Sequence, residues 1–502
     1  MDTDNRPLPR NALSLLVTIC VAAFAVRMAV LFWLPSIVHQ DETFQYLEQA
    51  HRLVFGTGLV PWEYIVGARS WIFPGLIAGV VQFTRPFGDS PETARLWVGG
   101  FMSLLSLAPV VCGFLWGWRA RGMAGAIAAG VLNGFWFELV YFSGHTLSEV
   151  LAANALMVGL YLAYPAVQAP SRQRFMVAGV FLGLAFVFRV QLVPAIALGV
   201  IAICGREVRL RYLPLLLGAA LPVLFSGLLD WLTWDWPFQS MALNFWINLR
   251  QGVASEFSQA PVHRYLSLEV TYWSGAFLLV VGLACAGARR LPVLLLVALT
   301  IVVAHTLLAH KEYRFIYPAL PLIVTLAGIG SAELAARLWG YTSSRVLVGL
   351  ALFWIATSAI LARGREFYPL WFRDGGSIAA MRLVNADSDA CGVGIYPAEM
   401  WDRSGGYSRL KPGVPLYGVP DQSQPGDAFD YLIGYKPADF TPQGFVRVQC
   451  WSEPPGRTIV LDPICLWHRT GICVPDAAPR LTATPPEFLA KSHPEWFDKT
   501  SR

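Results

Sequence analysis

The feature that most constrains this chain is a succession of apolar runs, most of them roughly twenty residues long, separated by short arginine-bearing loops. A run of about 20 apolar residues crosses a hydrocarbon core about 30 Å thick. Inside that core only helices and closed barrels satisfy every backbone polar group. Runs near 12–36, 94–116, 123–141, 147–168, 175–189, 191–204, 213–234, 268–287, 291–309, 315–336 and 345–362 predict about eleven membrane helices. The fifth and sixth are short and read either as a tight helical pair or as a single broken span. Composition agrees: 55% of residues are hydrophobic, 14% are charged and the mean hydropathy is +0.49, whereas soluble domains carry about 25% charge. A string of soluble domains, a disordered chain, a coiled coil, a collagen or a small disulfide scaffold is excluded. The net charge of +5 is modest and its arginines lie between apolar runs, which argues against a nucleic-acid partner. Asn11 to Ile37 is too long for the apolar part of a secretory signal and no small-residue cleavage site follows it, so it is expected to be the first span.

Orientation follows from the excess of cations in cytoplasmic loops. With the N-terminus inside, the inner loops hold Arg119 and Arg121, Arg172 and Arg174, Arg206, Arg209 and Arg211, Arg289 and Arg290, and Arg337 and Arg345. Losing one span between 175 and 204 would turn the later arginines outward, so their agreement supports two spans there. The outer face then receives two long loops, 38–93 and 235–267, a short one at 309–314, and the chain after about Leu361. Trp71 to Phe83, interrupted by Pro74 and Gly75, reads as an interfacial or re-entrant segment. The expected fold is a polytopic α-helical membrane region over 1–362 and a small extracytoplasmic α/β domain over 363–502. The latter has strand-like runs at Cys391–Tyr396, Tyr431–Tyr435, Phe445–Val448 and Thr458–Leu461. Four cysteines, Cys391, Cys450, Cys465 and Cys473, fall in this tail, and an even number facing outward predicts one or two disulfides. Three pairings are open, and the lack of a CxxC pair disfavours zinc.

Ionisable residues at a membrane boundary are costly and mark function, and here they cluster on the outer side. His39, Asp41, Glu42, Gln45, Glu48 and His51 follow the first span directly. Asp41 to Val54 has the periodicity of a short amphipathic helix, with Phe44, Leu47 and Val54 on the apolar face and Gly56 or Gly58 to end it. A structural reading makes Asp41 an N-cap and Glu42 a favourable first-turn charge, but that leaves His39, Glu48 and His51 without a reason. Trp62, Glu63 and Arg69 come next, where the plain reading is an aromatic belt and a solvated pair. His310, Lys311 and Arg314 sit between two apolar runs, on the side that cations avoid; a bound phosphate is one reason for that, lipid head groups another. The loop from Trp234 to Tyr265 mixes aromatic and polar residues, among them Asn244, Asn248 and Arg250, as a glycan or head-group site does. His145 and Arg189 are smaller signals on the same side. Arg27, inside the first span, has no partner that the sequence identifies. The chain carries no Walker loop, no GxGxxG in a βαβ unit and no HExxH. With no DxD pair in the outer loops either, no metal and no cofactor is expected.

The run His39-Gln40-Asp41-Glu42-Thr43-Phe44-Gln45, with Glu48 and His51, resembles the first-loop His-Pro-Asp-Glu-x-x-Gln motif of family 22 glycosyltransferases, Gln40 standing where the family has Pro. Gly56-Thr57-Gly58, Trp62-Glu63, Arg69-Ser70 and Pro74 are similar to its continuation. His310-Lys311-Glu312-Tyr313-Arg314-Phe315 resembles the family's His-Lys-Glu-x-Arg-Phe signature, and Asp230 with Asn244, Phe245 and Asn248 fits its second long loop. The resemblance covers about residues 12 to 340 and is nearest to the branch of the third mannosyltransferase of glycosylphosphatidylinositol (GPI) assembly, with the Alg9 and Alg12 enzymes as relatives. It implies a GT-C fold and a polyprenyl-phosphate-linked sugar donor, usually mannose. It also implies inverting transfer to a hydroxyl of a membrane-anchored glycan or glycolipid, on the periplasmic or lumenal face. In those terms Asp41 is the expected base, with Glu42 second, while Lys311 and Arg314, joined by either Arg69 or Arg250, are the expected phosphate holders. His310 and His145 are expected donors to phosphate or sugar. The rival is a flippase of lipid-linked glycans, which calls for polar residues in mid-span and an inverted repeat.

Overall fold

The computed structural model of the chain describes residues 8–164, 171–339, 343–436, 440–453, 462–471, 473–482 and 487–496. They divide into two compact units, Met1–Val30 with Gly100–Gly364, and Leu31–Gly99 with Arg365–Arg502.

The first unit is helical. Six helical segments are long and apolar enough to cross a membrane: Arg10–Trp33, Pro91–Phe135, Val208–Thr233, Arg264–Ala288, Tyr313–Trp339 and Ser344–Ala362. Ser148–Ala163, Val190–Cys204 and Pro292–Thr306 are apolar but shorter. Among the described residues each apolar run of the sequence falls largely on helix, and helix length by itself supports six crossings. Within Pro91–Phe135 the helical path breaks at Arg121 and Gly122, where Gly122 has φ +59°. This is the loop expected between the second and third spans.

Close approach rather than side-chain bulk sets the packing of Arg172–Phe188 on Leu213–Thr233. A Cβ on Gly179 would stand 2.0 Å from the Leu215 carbonyl, and one on Gly218 would stand 1.9 Å from that of Met176. At one end of the unit Arg121, Arg290 and Arg337 all pair with Glu333. Three of the expected inner arginine loops therefore meet at the same end.

Arg27 gains an explanation as well. It is 1% exposed and donates to Ser106 Oγ (3.0 Å), Gly134 O (2.7 Å) and Asn133 O (3.1 Å). A buried cation inside a helix bundle is tolerated when its fork of donors is satisfied in this way.

The second unit joins the tail to the first long loop. Its sheet has the order β2-β1-β3-β5-β4, with β1 Val393–Tyr396, β2 Leu416–Gly418, β3 Tyr431–Gly434, β4 Val446–Trp451 and β5 Ile464–His468. β1 runs parallel to β2 and β3, and β5 runs antiparallel to β3 and β4. The helix Gly375–Ala386 lays Ala380, Met381 and Val384 against Val393, Ile395, Leu416, Ile433 and Leu466. That core also contains Phe44 and Leu59 of the first loop. The apolar face read at Phe44 is therefore buried in the tail's own core, and the loop and tail fold as one body.

Three of the four strand-like runs are strands; Thr458–Leu461 lies outside the described residues. β2 and β5 are additional. β2 has three residues, too few to show alternation, and β5 is a short apolar run beside Pro463 that periodicity alone does not assign. The tail cysteines pair as Cys391–Cys473 and Cys450–Cys465, with Cα atoms 6.4 and 4.0 Å apart.

Candidate functional site

The acidic first loop is organised by one helical stretch, Glu42–Leu47 continuing into Glu48–Phe55 and closed by Gly56 at φ +77°. Asp41 stands at its start with helical φ and ψ and makes no capping hydrogen bond with its side chain, so the N-cap explanation of this aspartate fails. Asp41 is partly exposed, whereas Glu42 and Gln45 are buried. Gln45 Nε2 donates to Glu63 Oε1 at 2.6 Å. Glu63, on the turn Trp62–Ile65, lies within electrostatic reach of both Asp41 and Arg69. Burial pushes the Glu63 carboxyl up to about 7; Arg69 opposes that rise and Asp41 adds to it. For Arg69, burial favours the neutral form, but Tyr46, Glu63 and Asp41 together hold its charge. The structure therefore gathers Asp41, Gln45, Glu63 and Arg69 from an acidic helix start and a turn about twenty residues on. It is a place where a carboxyl beside a second acid and a guanidinium is raised toward neutrality, as acid–base sites require.

Other residues of the same loop hold it together. Glu48 is fully buried and accepts from Leu59 N (2.7 Å) and Ser408 N (2.6 Å). Burial raises its carboxyl, and His51 opposes that. A Cβ on Gly406, which has φ +69°, would stand 2.5 Å from the Glu48 carboxyl carbon. Glu48 is a bolt between helix and tail, and that bolt requires a glycine at 406. His51 Nδ1 lies 2.5 Å from Thr57 O. Trp62 stacks on Trp496 with ring centroids 6.0 Å apart. His39 is half-buried.

In the helical unit the loop 309–314 carries a second constellation. Arg314, 3% exposed, donates from Nε and Nη2 to Glu312 (2.8 and 2.9 Å) and pairs through Nη1 with Glu149 Oε1 (3.0 Å). Arg189 Nη2 reaches the same Glu149 oxygen at 3.3 Å. Although burial alone pushes Glu312 up, Arg314 and His310 hold it well below the usual carboxylate range. His310 bridges Glu312 Oε1 (3.0 Å) and Ser258 Oγ (2.8 Å).

Lys311 differs. It is 9% exposed, and its ammonium donates to the carbonyls of Ala260 (3.0 Å) and Leu308. Two carbonyls orient an ammonium without neutralising it.

His145 is buried against the Tyr141 ring at 4.8 Å. Asn248 Nδ2 donates to Asn244 O at 3.1 Å, holding that helix rather than presenting an amide, and Arg250 is exposed. Asp230, fully buried, accepts from Ser240 N and Oγ at 3.0 and 2.6 Å.

Two buried carboxyls escaped the sequence reading. Glu138 Oε2 accepts from the indoles of Trp136 (2.7 Å) and Trp273 (2.9 Å), and Glu269 lies within electrostatic reach of it. The signal was present, since each is a lone acid in an expected span. Among the described residues no cluster of three or more His, Cys, Asp or Glu is placed to hold a metal.

The architecture, apolar helices with a small mixed-sheet domain, is that of the GT-C glycosyltransferases. ArnT from Cupriavidus metallidurans, solved bound to undecaprenyl phosphate, matches with a TM-score of 0.60 at 13% identity, covering 92% of this chain and 99% of that one. The Archaeoglobus fulgidus oligosaccharyltransferase, solved with zinc and sulfate, matches with a TM-score of 0.51 at 13% identity, covering 83% and 67%. Residues 17–386 match the Alg9-like mannosyltransferase family, and the chain belongs to it. Similar proteins include GPI mannosyltransferase 3 of Yarrowia lipolytica, 30% identical over 63% of this chain and 62% of that protein. GPI alpha-1,2-mannosyltransferase 3 of Mus musculus is 27% identical over 62% and 58%. The match thus spans about three fifths of the length of these relatives.

Proposed function

We propose that the chain is an inverting mannosyltransferase that moves mannose from a polyprenyl phosphate to a hydroxyl of a membrane-anchored, GPI-like glycan. On this reading the chain crosses the membrane about eleven times, and the first loop and the tail lie on the extracytoplasmic side. The observation that carries the proposal is the grouping of Asp41 with Glu63, Gln45 and Arg69 at the start of the first-loop helix.

In a single displacement the acceptor oxygen bonds to the anomeric carbon as the bond from that carbon to the phosphate oxygen breaks. The acceptor proton passes to a base, and polyprenyl phosphate leaves with the electron pair. Asp41 is the base, partly exposed at the start of the first-loop helix. Arg69 lies within electrostatic reach of both Asp41 and Glu63, and burial together with the Asp41 charge raises the Glu63 carboxyl against it. Lys311 takes the phosphate, whose charge grows as the glycosidic bond breaks. Its ammonium is oriented by carbonyls, whereas every nitrogen of Arg314 is already engaged by carboxylates.

The test is transfer by the purified protein supplied with polyprenyl-phosphate mannose and a lipid extract of its host, with Asp41→Asn and a chelator as controls. Transfer that requires Asp41 and survives the chelator supports the reading. Absence of transfer, with the lipid instead crossing a reconstituted bilayer, turns it to a flippase.

A further inference from the structure

The second unit contains an open cleft that the reaction above does not use. The first-loop helix, the helix Ile72–Thr84, the first turns of the helix Pro91–Leu105 and the tail segment 408–412 line it. One wall is apolar, formed by Phe55, Ile77, Val81 and Val98. Arg85, Arg95 and Arg409 also line it, with the Arg85 guanidinium over the Phe55 ring at 5.3 Å. Arg85 is paired with Asp89 at 3.1 Å. Arg95 gives one nitrogen to Leu31 O at 2.9 Å, and its Nε is buried without a hydrogen-bond partner. Arg409 and Arg382 both repel Arg95, and Glu42 and Glu92 oppose that repulsion. Counting Arg382, four guanidiniums thus stand with three carboxylates, Asp89, Glu42 and Glu92. The tail builds this arrangement deliberately: Asn385 receives Lys411 N (2.8 Å) and donates to Arg409 O (2.9 Å), fixing the segment that presents Arg409.

A surplus of guanidinium beside an apolar wall, at the head of a helix long enough to span a membrane, matches a lipid whose phosphate lies at head-group depth and whose chain runs along the wall. Free phosphate has no use for the wall. We propose that this cleft is the acceptor-lipid subsite, in which Arg95 and Arg409 hold the phosphodiester of the membrane-anchored acceptor and the tail domain selects for it. The proposal rests on the glycosyltransferase reading for the identity of its ligand.

Two measurements on the full-length protein in detergent test it. Steady-state transfer with each substrate varied compares the wild type with Arg409→Gln, Arg409→Lys and the exposed Arg382→Gln. The expected result for Arg409→Gln is a rise of about tenfold in the acceptor KM, the loss of one charge-assisted hydrogen bond, with kcat and donor KM unchanged. Arg409→Lys should restore most of it, and Arg382→Gln, which cannot unfold the chain by leaving a cavity, should show a smaller rise in the same constant. A shift in donor KM instead, or no shift in any of the three, overturns the proposal. Native mass spectrometry supplies a readout that needs no activity. Phosphatidylinositol should be retained over phosphatidylcholine by the wild type, and this preference should be lost in Arg409→Gln. If no transfer occurs with any acceptor, the enzymatic reading fails while retention still decides the cleft: an Arg409-dependent preference sustains it, and equal retention of the two lipids sinks it.

Discussion

The two charged constellations are balanced differently. In the helical unit two carboxylates, Glu149 and Glu312, meet two guanidiniums, Arg189 and Arg314. In the first-loop unit two carboxyls, Asp41 and Glu63, share one guanidinium, Arg69. The consequences appear in the protons. Glu312 is held well below the usual range, while Glu63 is pushed up to about 7. A balanced buried network has no surplus to offer a substrate and gains from being left alone. An acid-rich one holds a proton ready to move. Residue type is similar in both; on the proposed reading the count of partners separates a group that holds structure from one that does chemistry.

The largest expected effect breaks that distinction if it fails. Asp41→Asn should lower turnover by about 10²–10⁴-fold, the worth of a positioned base, with an unchanged melting temperature. Retained turnover would remove Asp41 from the role and pass it to Glu42 or Glu63. Arg314→Ala should show the opposite profile. Leaving the buried Glu149 with one cation fewer costs about 3–5 kcal/mol, read as a fall in thermal midpoint in detergent. A wild-type midpoint would mean that the network is not structural and would return Arg314 to the phosphate.

Much of this contrast was legible in the sequence, and the reason for the remainder is physical. Apolar length marks helices directly, and Gly56 ended the first-loop helix where its φ of +77° requires glycine. The carboxyls of the acidic loop were visible as a cluster. Their division of labour was not, because Glu48 and Gly406 are far apart in sequence and meet only through the fold. The same is true of Phe44, whose apolar face has meaning only once the tail core at Ala380 and Ile433 exists. Arg314 is a third case: its buried charge meets Glu149, which precedes it by more than 160 residues. The lone acids Glu138 and Glu269 were legible by the cost of burying charge in a span, and were passed over for the denser clusters outside.

Glu63 sharpens the comparison through pH. Its carboxyl titrates at about 7 in the folded chain against an ordinary 4.5. Between those values the folded state binds more protons than the unfolded one, so stability falls as pH rises from about 4.5 to 7, by up to about 3 kcal/mol from this group. Glu63→Gln keeps an acceptor for Gln45 and removes the titration. The difference in midpoint between pH 5 and pH 8 should therefore shrink in the variant, chiefly through a gain at pH 8. A slope equal to wild type would mean that Glu63 is ionised throughout, and that Arg69 serves it before Asp41.

The smallest effect belongs to Lys311, the cation that the balanced network leaves out. Its ammonium both ties the 260 and 308 carbonyls and carries a charge that the described carboxylates do not neutralise. Lys311→Met retains most of the packing and removes the charge, so the two roles separate. If the ammonium holds the donor phosphate, donor KM rises about tenfold, one charge-assisted contact, and the acceptor KM stays. Raising ionic strength should then weaken donor binding in the wild type more than in the variant, because a charge is screened and a methyl is not. If the ammonium only ties the loop, the midpoint falls and both constants drift together, and the phosphate must be sought among the remaining cations, beginning with Arg69 and Arg250.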